Sequence, residues 1–533
     1  MRDLVAVTAL LASCVARASA SELKPRYDVV VVGGGVKESL LAGLLASHGK
    51  EVLHLEGVNT AESNRLDLQQ LAELTEGPDA KLAEQRVGKP TEYSIERAPK
   101  MFMASGRQLQ LFVSSGAWQH MNPPGFKRVQ RSLIYRRRAD GQPDVHRILS
   151  NSEDVVKTRM LAPLEKARVV QFFLWVEKYE EGDVRTHVTG PLSKRTLDLR
   201  KMSAAKFLAY WELPKEAASM VVRGMALHAG TNKALKKMPA IELVRKLKRY
   251  KDAHRTFPHM TSPYVYPVGG FGSALSQATA HTVEANGGDF VADAAVDEIL
   301  FDDAGKACGV ATGGERVLAD CVVMSPDNAP DRVESRGQIV RMYAVLSHPP
   351  NMCKDANSCQ LLVPAAACGR AHDIYLSSYS STHGVAPKGK WLVVASTWVE
   401  GDVEGADALA VAKQEMSAVM PILKPTRKLL AEVVDVYAPK EAAQADGLVV
   451  LPSEDETSCK LRFPCCPASS PPLVQQMTLG RHPPRSALAP CACNGLTVPR
   501  DCCPCSSTDF DSVESDVAAA FEEVAGESLA SLR

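Results

Sequence analysis

Tyr27-Asp28-Val29-Val30-Val31-Val32 is a nearly unbroken β-branched run that ends in Gly33-Gly34-Gly35. Such a run predicts a strand buried on both faces of a parallel sheet. The spacing that follows predicts a helix over Glu38 to Ser47, with Leu40, Leu41, Leu44 and Leu45 on one face and His48-Gly49 as its stop. Glu51 to Glu56 reads as a second strand. Strand, glycine turn, helix and strand in that order form a βαβ unit, whose helix N-terminus aims backbone N–H groups at a pyrophosphate. Glu56 stands where an acid would bind a ribose.

One residue argues against a cofactor. The dinucleotide fingerprint is G-x-G-x-x-G, and here Gly33 and Gly35 are followed by Glu38 in the third glycine place. A carboxylate beside the phosphate path repels a dianionic ligand. The expectation is a dinucleotide-type α/β fold with no bound cofactor and no metal.

Beyond this unit the pattern changes twice. From about Ser150 to Tyr250 the periodicity is helical: Val156, Met160, Leu164, Val169, Phe172, Phe173 and Val176 recur at spacings of three to five. Ser203 is placed to cap a helix carrying Phe207, Leu208 and Trp211, and Pro239 to begin another with Ile241, Val244 and Leu247 inward. After Ser262 short strands return, first as a meander over Glu298–Phe301, Gly309–Thr312 and Val317–Met324. Four more follow at Gln338–Ser347, Gln360–Val363, Asp373–Tyr379 and Trp391–Thr397. Asp509 to Leu532 reads as an acidic amphipathic helix with Val513, Val517, Phe521 and Val524 on one side.

Composition excludes several classes. Lys plus Arg (62) equals Asp plus Glu (62), so no overall field steers the chain onto nucleic acid. The run Lys127, Arg128, Arg131, Arg136, Arg137 and Arg138 reads as the solvated face of strands or as a patch for an acidic partner or membrane. Lys236 to Arg255 is a second basic stretch, on a helix. Residues 1–22 combine Arg2, an apolar run and Ala16-Arg17-Ala18-Ser19-Ala20, the layout of a secretory signal peptide or of a spurious upstream extension. Eight of the 14 cysteines lie between Cys459 and Cys505 among nine prolines, without apolar periodicity. That segment reads as a disordered insert, with zinc ligation or disulfides as alternatives. Cys308, Cys321 and Cys359 sit in strand-like segments and read as reduced core cysteines. His54 and His348, at strand ends, read as structural.

The chain resembles the Rab GDP-dissociation inhibitor family, which includes the Rab escort proteins. The motifs that carry the resemblance are Ser347-His348-Pro349, Asp355-Ala356-Asn357-Ser358-Cys359-Gln360, Asp373-Ile374-Tyr375, Gly389-Lys390-Trp391 and Ser262-Pro263-Tyr264-x-Tyr266-Pro267. That family also carries Glu in the third fingerprint place. The resemblance implies a flavoprotein-like β-rich domain with an inserted helical domain, and no enzyme chemistry. It implies binding of prenylated, GDP-bound Rab GTPases, slowed GDP release, extraction from membranes with transient membrane contact, and a cytosolic site of action. The layout expected is a discontinuous Rab-binding domain over 23–149 and 251–440, a prenyl-binding helical domain over 150–250, the insert 459–505 and a C-terminal helix over 506–533.

Rab-binding candidates are Tyr264, Tyr266, Gln277, Asn357 and Ser358. Val169, Phe172, Phe173, Val176, Met225 and Leu227 would line a groove for the geranylgeranyl lipid, or pack on one another as a closed core. Two family stretches are altered: Gly57 to Ser63 lacks the expected tyrosines, and Ser273 replaces an acid. The alternative function, a flavin-dependent oxidoreductase on the same fold, is opposed by Glu38.

Overall fold

The computed structural model describes residues 23–57, 65–66, 87–104, 107–121, 125–138, 140–189, 196–227, 232–256, 262–335, 338–399, 408–423, 429–437, 440–442, 448–451 and 511–526. The signal-like segment 1–22, the altered stretch 58–64 and the cysteine-rich insert 459–505 lie outside them.

The expected βαβ unit is present. Strand β1 (Arg26–Val32) leads through the glycine turn into helix α1 (Val36–Ser47) and then strand β2 (Val52–Leu55). β1 pairs in parallel with β2 on one side and with Glu315–Met324 on the other. Asp289–Val291 and Leu448–Val450 extend the parallel part. The meander Val296–Phe301, Ala307–Thr312 and Glu315–Met324 closes the far edge in antiparallel register. Val29 to Val32 are buried on both faces, as a central parallel strand requires.

A second seven-stranded sheet runs in the order Leu429–Tyr437, Ile339–Leu346, Trp391–Trp398, Ile374–Ser380, Ser358–Val363, Arg131–Arg137 and Pro143–Arg147. Its pairs are antiparallel except Ser358–Val363 with Arg131–Arg137. Residues more than 200 positions apart therefore share one ladder. All four strands expected between 338 and 397 are found, within two residues of their expected ends.

The helical layer contains Ser152–Lys157, Pro163–Lys178, Ala204–Tyr210 and Ala240–Thr256, with a π-helical turn at Met220–Met225. Asn151 caps the first of these through its side chain, and Ser203 caps the third as expected. The last helix runs through position 251 without a break, so the expected boundary at 250 falls inside an element.

Two expectations are corrected. α1 is apolar on one face in sequence, yet every residue from Lys37 to Ala46 is buried. The reason is enclosure, because the C-terminal helix Asp511–Ala525 and the helices Gly272–Ala285 and Arg107–Ser114 also pack on it. Cys359 is bonded to Cys353, with Cα atoms 5.9 Å apart, rather than reduced. The turn before the strand, with Lys354 at φ 51°, brings the two sulfurs together. Cys308 and Cys321 are free, and burial pushes the Cys321 thiol up to about 12.

The C-terminal helix is fastened to α1 by a buried ion pair. Lys37 Nζ lies 2.6 Å from Asp516 Oδ2, with side chains 1% and 0% exposed. Phe521 packs edge-on against His48 at the other end of α1. Removing one partner of such a pair strands the other charge in an apolar setting, which costs roughly 3–5 kcal/mol. Lys37→Met alone should therefore lower the urea midpoint strongly, and Lys37→Met with Asp516→Leu should restore most of the loss. A double variant no more stable than the single one would show that the ion pair is not what holds the helix.

Candidate functional site

The glycine turn is shaped by its neighbours. Gly33 adopts φ +130°, and its N–H donates to the Leu55 carbonyl at 2.8 Å. His54 Nε2 lies 2.8 Å from the Gly33 carbonyl. A carbonyl only accepts, so Nε2 carries the proton. His54 is fully enclosed, and desolvation lowers its pKa to about 4 against the opposing pull of that carbonyl. The structural role expected for His54 is what the geometry provides.

A dinucleotide does not fit this turn. A Cβ at Gly33 would meet Glu38 Cγ at 3.0 Å, and one at Gly34 would meet Glu56 Oε1 at 2.5 Å. The two acidic side chains therefore fold directly over the glycines, Glu38 from the helix and Glu56 from the end of β2. Both are buried, and burial raises the Glu56 carboxyl, with the Ser276 hydroxyl opposing and Asp293 adding to the rise. A pyrophosphate needs open N–H groups here. It would meet two carboxyl groups instead.

Four of the five partner-binding candidates gather along one seam. Tyr264 and Tyr266 lie on the strand Tyr264–Pro267, which pairs with Phe126–Arg128. Val129 N donates to the Tyr264 carbonyl at 2.8 Å. Gln130 then ties the seam to the second sheet: its N–H donates to Ser358 Oγ at 3.1 Å, and its side-chain oxygen accepts from Asn357 N at 2.8 Å. Ser380 N donates to the Asn357 carbonyl at 2.9 Å.

The side chains differ sharply in access. Tyr264 and Tyr266 are 0% and 1% exposed, so neither presents a ring to solvent. Tyr266 stacks on Tyr379 at 4.2 Å and donates its hydroxyl to Glu96, and desolvation raises its pKa well above the usual value. Ser358 is buried, Asn357 half-buried and Gln277 exposed. Gln277 stands apart, on the open face of Gly272–Ala285, one turn before His281. The ring of His281 lies 4.8 Å from that of His120.

The six lipid-groove candidates are brought together, but as a closed core. Val169, Phe172, Phe173 and Val176 on Pro163–Lys178, with Met225 and Leu227, belong to one buried cluster and none exceeds 3% exposure. Phe172 packs against Phe207 and Trp211 at 5.8 and 5.7 Å. Closure follows from the hydrophobic effect, since six apolar side chains lining open water would forgo about 25 cal/mol per Å² of apolar area. Exposed apolar side chains remain at Val156, Leu164 and Leu174, on the first two helices of the layer.

The basic stretch Lys236 to Arg255 is partly consumed inside the protein. Arg245 makes a two-pronged contact with Glu181, Lys251 pairs with Glu177 at 2.9 Å, and Arg249 reaches Glu514 at 3.7 Å. Sequence reasoning missed Glu96, Gln130 and His383. His383 sits among Tyr266 and Tyr379, and burial lowers its pKa to about 4. None of the three carries a local signature, because each acts through partners distant in sequence.

The family model described as GDP dissociation inhibitor matches residues 23–462. A guanosine nucleotide diphosphate dissociation inhibitor of Arabidopsis thaliana is 30% identical over 434 residues, covering 81% of this chain and 91% of the relative. A second from the same plant, guanosine nucleotide diphosphate dissociation inhibitor 1, is 29% identical with the same coverage. The crystal structure of a Rab GDI from Plasmodium falciparum superposes with a TM-score of 0.74 at 20% identity, covering 95% of this chain and 99% of that one.

The glycine turn generates a pH dependence. Unfolded, His54 takes up a proton below about 6.5; folded, it does so only below about 4. The unfolded state thus binds the extra proton between these values, and stability is present above 6.5 and lost as pH falls toward 4. The whole gap is worth up to roughly 3 kcal/mol. His54→Gln keeps an N–H for the Gly33 carbonyl and removes the titration. Its melting temperature should fall less steeply from pH 7 to pH 4.5 than that of the parent, and an identical slope would remove His54 from the account.

Proposed function

The chain belongs to the GDP dissociation inhibitor family, and from that premise we propose that it binds Rab GTPases in their GDP form, slows GDP release and shelters their prenyl tails during extraction from membranes. The observation that carries this reading is the family match across residues 23–462. The seam supports it: residues from two of the family's motifs, Tyr264 and Asn357 with Ser358, are joined with Ser380 by hydrogen bonds through Val129 and Gln130. The glycine turn is closed by the protein's own carboxyl groups, which suits a regulator with no chemistry of its own. Rabs face the cytosol, and that is the compartment this reading assigns. Among the described residues no helix is long and apolar enough to cross a membrane.

In this reading Gln277 and Asn357 contact the GTPase, because they are the candidates with accessible side chains. Tyr264, Tyr266 and Ser358 set the backbone beneath them. The tail would enter between Ser152–Lys157 and Pro163–Lys178, where Val156 and Leu164 are already exposed at 64% and 82%. The core of Phe172, Phe173 and Met225 would part to receive it. A few hundred Å² of prenyl surface removed from water is worth several kcal/mol at about 25 cal/mol per Å², enough to offset the reopening.

The test is a comparison of affinities using the full-length chain. A prenylated GDP-bound Rab should bind at least about tenfold more tightly than the unprenylated form, and Gln277→Ala should weaken both. Equal affinity for the two forms would exclude tail sheltering. Failure to bind either would exclude Rab recognition.

A further inference from the structure

A cleft of about 840 Å³ lies between the second sheet and the helical layer. It is walled by Ile134 to Arg138, by Lys215, Glu216, Ser219 and Met220 of the helical layer with Met160, and by the short helix Ala365–Cys368 with its flanking residues. Its size is within the range of about 300–1,000 Å³ usual for small-molecule sites. Its walls are of two kinds. Met160, Ala367 and Cys368, half-buried, supply an apolar surface backed by the buried Met220 and Ile134, and Met160 is flexible enough to follow a hydrocarbon chain.

The rim is basic. Arg136 is paired with Asp144 and Arg138 with Asp140, while Glu216 contributes one negative charge. Arg137 and Lys215 are exposed and make no ion pair among the described residues. Arg137 also lies close enough to the Cys368 thiol to oppose, with Arg370, the upward push that burial gives it. A guanidinium and an ammonium beside apolar walls match a ligand with one anionic end and one long apolar end. A soluble anion would have no use for the methionines, and a neutral chain none for the cations.

We infer that this cleft binds a free single-chain lipid carboxylate, with its chain against Met160, Ala367 and Cys368 and its carboxylate held by Arg137 and Lys215. The inference concerns a ligand separate from a GTPase tail, and it stands or falls without any Rab in the assay.

The experiment uses the full-length chain and displacement of the fluorescent probe 11-(dansylamino)undecanoate. Oleate should displace the probe, oleyl alcohol at least about tenfold less effectively, and acetate not at all. Arg137→Gln with Lys215→Gln should lower oleate affinity at least about tenfold and leave the melting temperature unchanged. Ala367→Trp should block binding. Oleate should shield Cys368 from N-ethylmaleimide, read by peptide mass spectrometry, which locates the ligand in this cleft. No displacement by oleate, equal displacement by oleyl alcohol, an unaffected double variant, or unchanged labelling of Cys368 would each overturn the inference. Oleate binding retained in a protein that binds no Rab would overturn only the preceding reading.

Discussion

The enclosure of α1 is the constraint on which the rest of this protein depends. A helix that leaves a glycine turn normally keeps its first turn open for a ligand, and the dipole there favours an anion. Here the protein supplies that anion from its own chain, with Glu38 and Glu56 folded over Gly33 and Gly34. The adjacent Lys37 is turned away to Asp516 of the C-terminal helix. Every side of α1 is thereby committed to internal contacts. The ligand-binding end of a dinucleotide fold has become a packing centre.

The seam around Asn357 and Tyr264 forms because the second sheet joins distant segments. Arg131–Arg137 lies in register with Ser358–Val363, and the first of these continues from the strand paired with Tyr264–Pro267. Gln130 sits at the junction and holds both. Its role is not legible in sequence, since a glutamine within a basic stretch reads as solvated surface. Asn357, Ser358, Tyr264 and Tyr266 stand in motifs that the sequence shows plainly. Their access to solvent is not legible there, because a motif gives residue identity and not whether a ring points inward. Tyr266 illustrates the difference: its partners Glu96 and Tyr379 stand 170 and 113 positions away.

Strands and helices were the more legible level. The valine run from Val29 to Val32 and the alternating strands after Ser262 fix the sheets by local pattern alone. Helix α1 shows where pattern fails: Lys37 is polar yet buried, because Asp516 of the C-terminal helix, 479 residues away, pairs with it. The Cys353 and Cys359 bridge was hidden for a related reason. Two cysteines six apart are a common spacing, and only the left-handed turn at Lys354 makes them neighbours.

The helical layer is linked to the sheet through a strained segment. Arg223, inside the π-helical turn Met220–Met225, forms an ion pair with Asp373, whose carboxyl also accepts from Ala365 N at 2.7 Å. Asp373 is fully buried, and that guanidinium is its ion-pair partner. Two residues beyond the turn, Leu227 takes φ 46°, a conformation disfavoured for a branched side chain. Met225 lies between these points, in the closed core. Rearranging the core while the Arg223 pair holds would concentrate the backbone change between Gly224 and Leu227, because the ion pair fixes one end. The fold thus ties the apolar core, through Arg223 and Asp373, to the same sheet that carries Asn357 and Ser358.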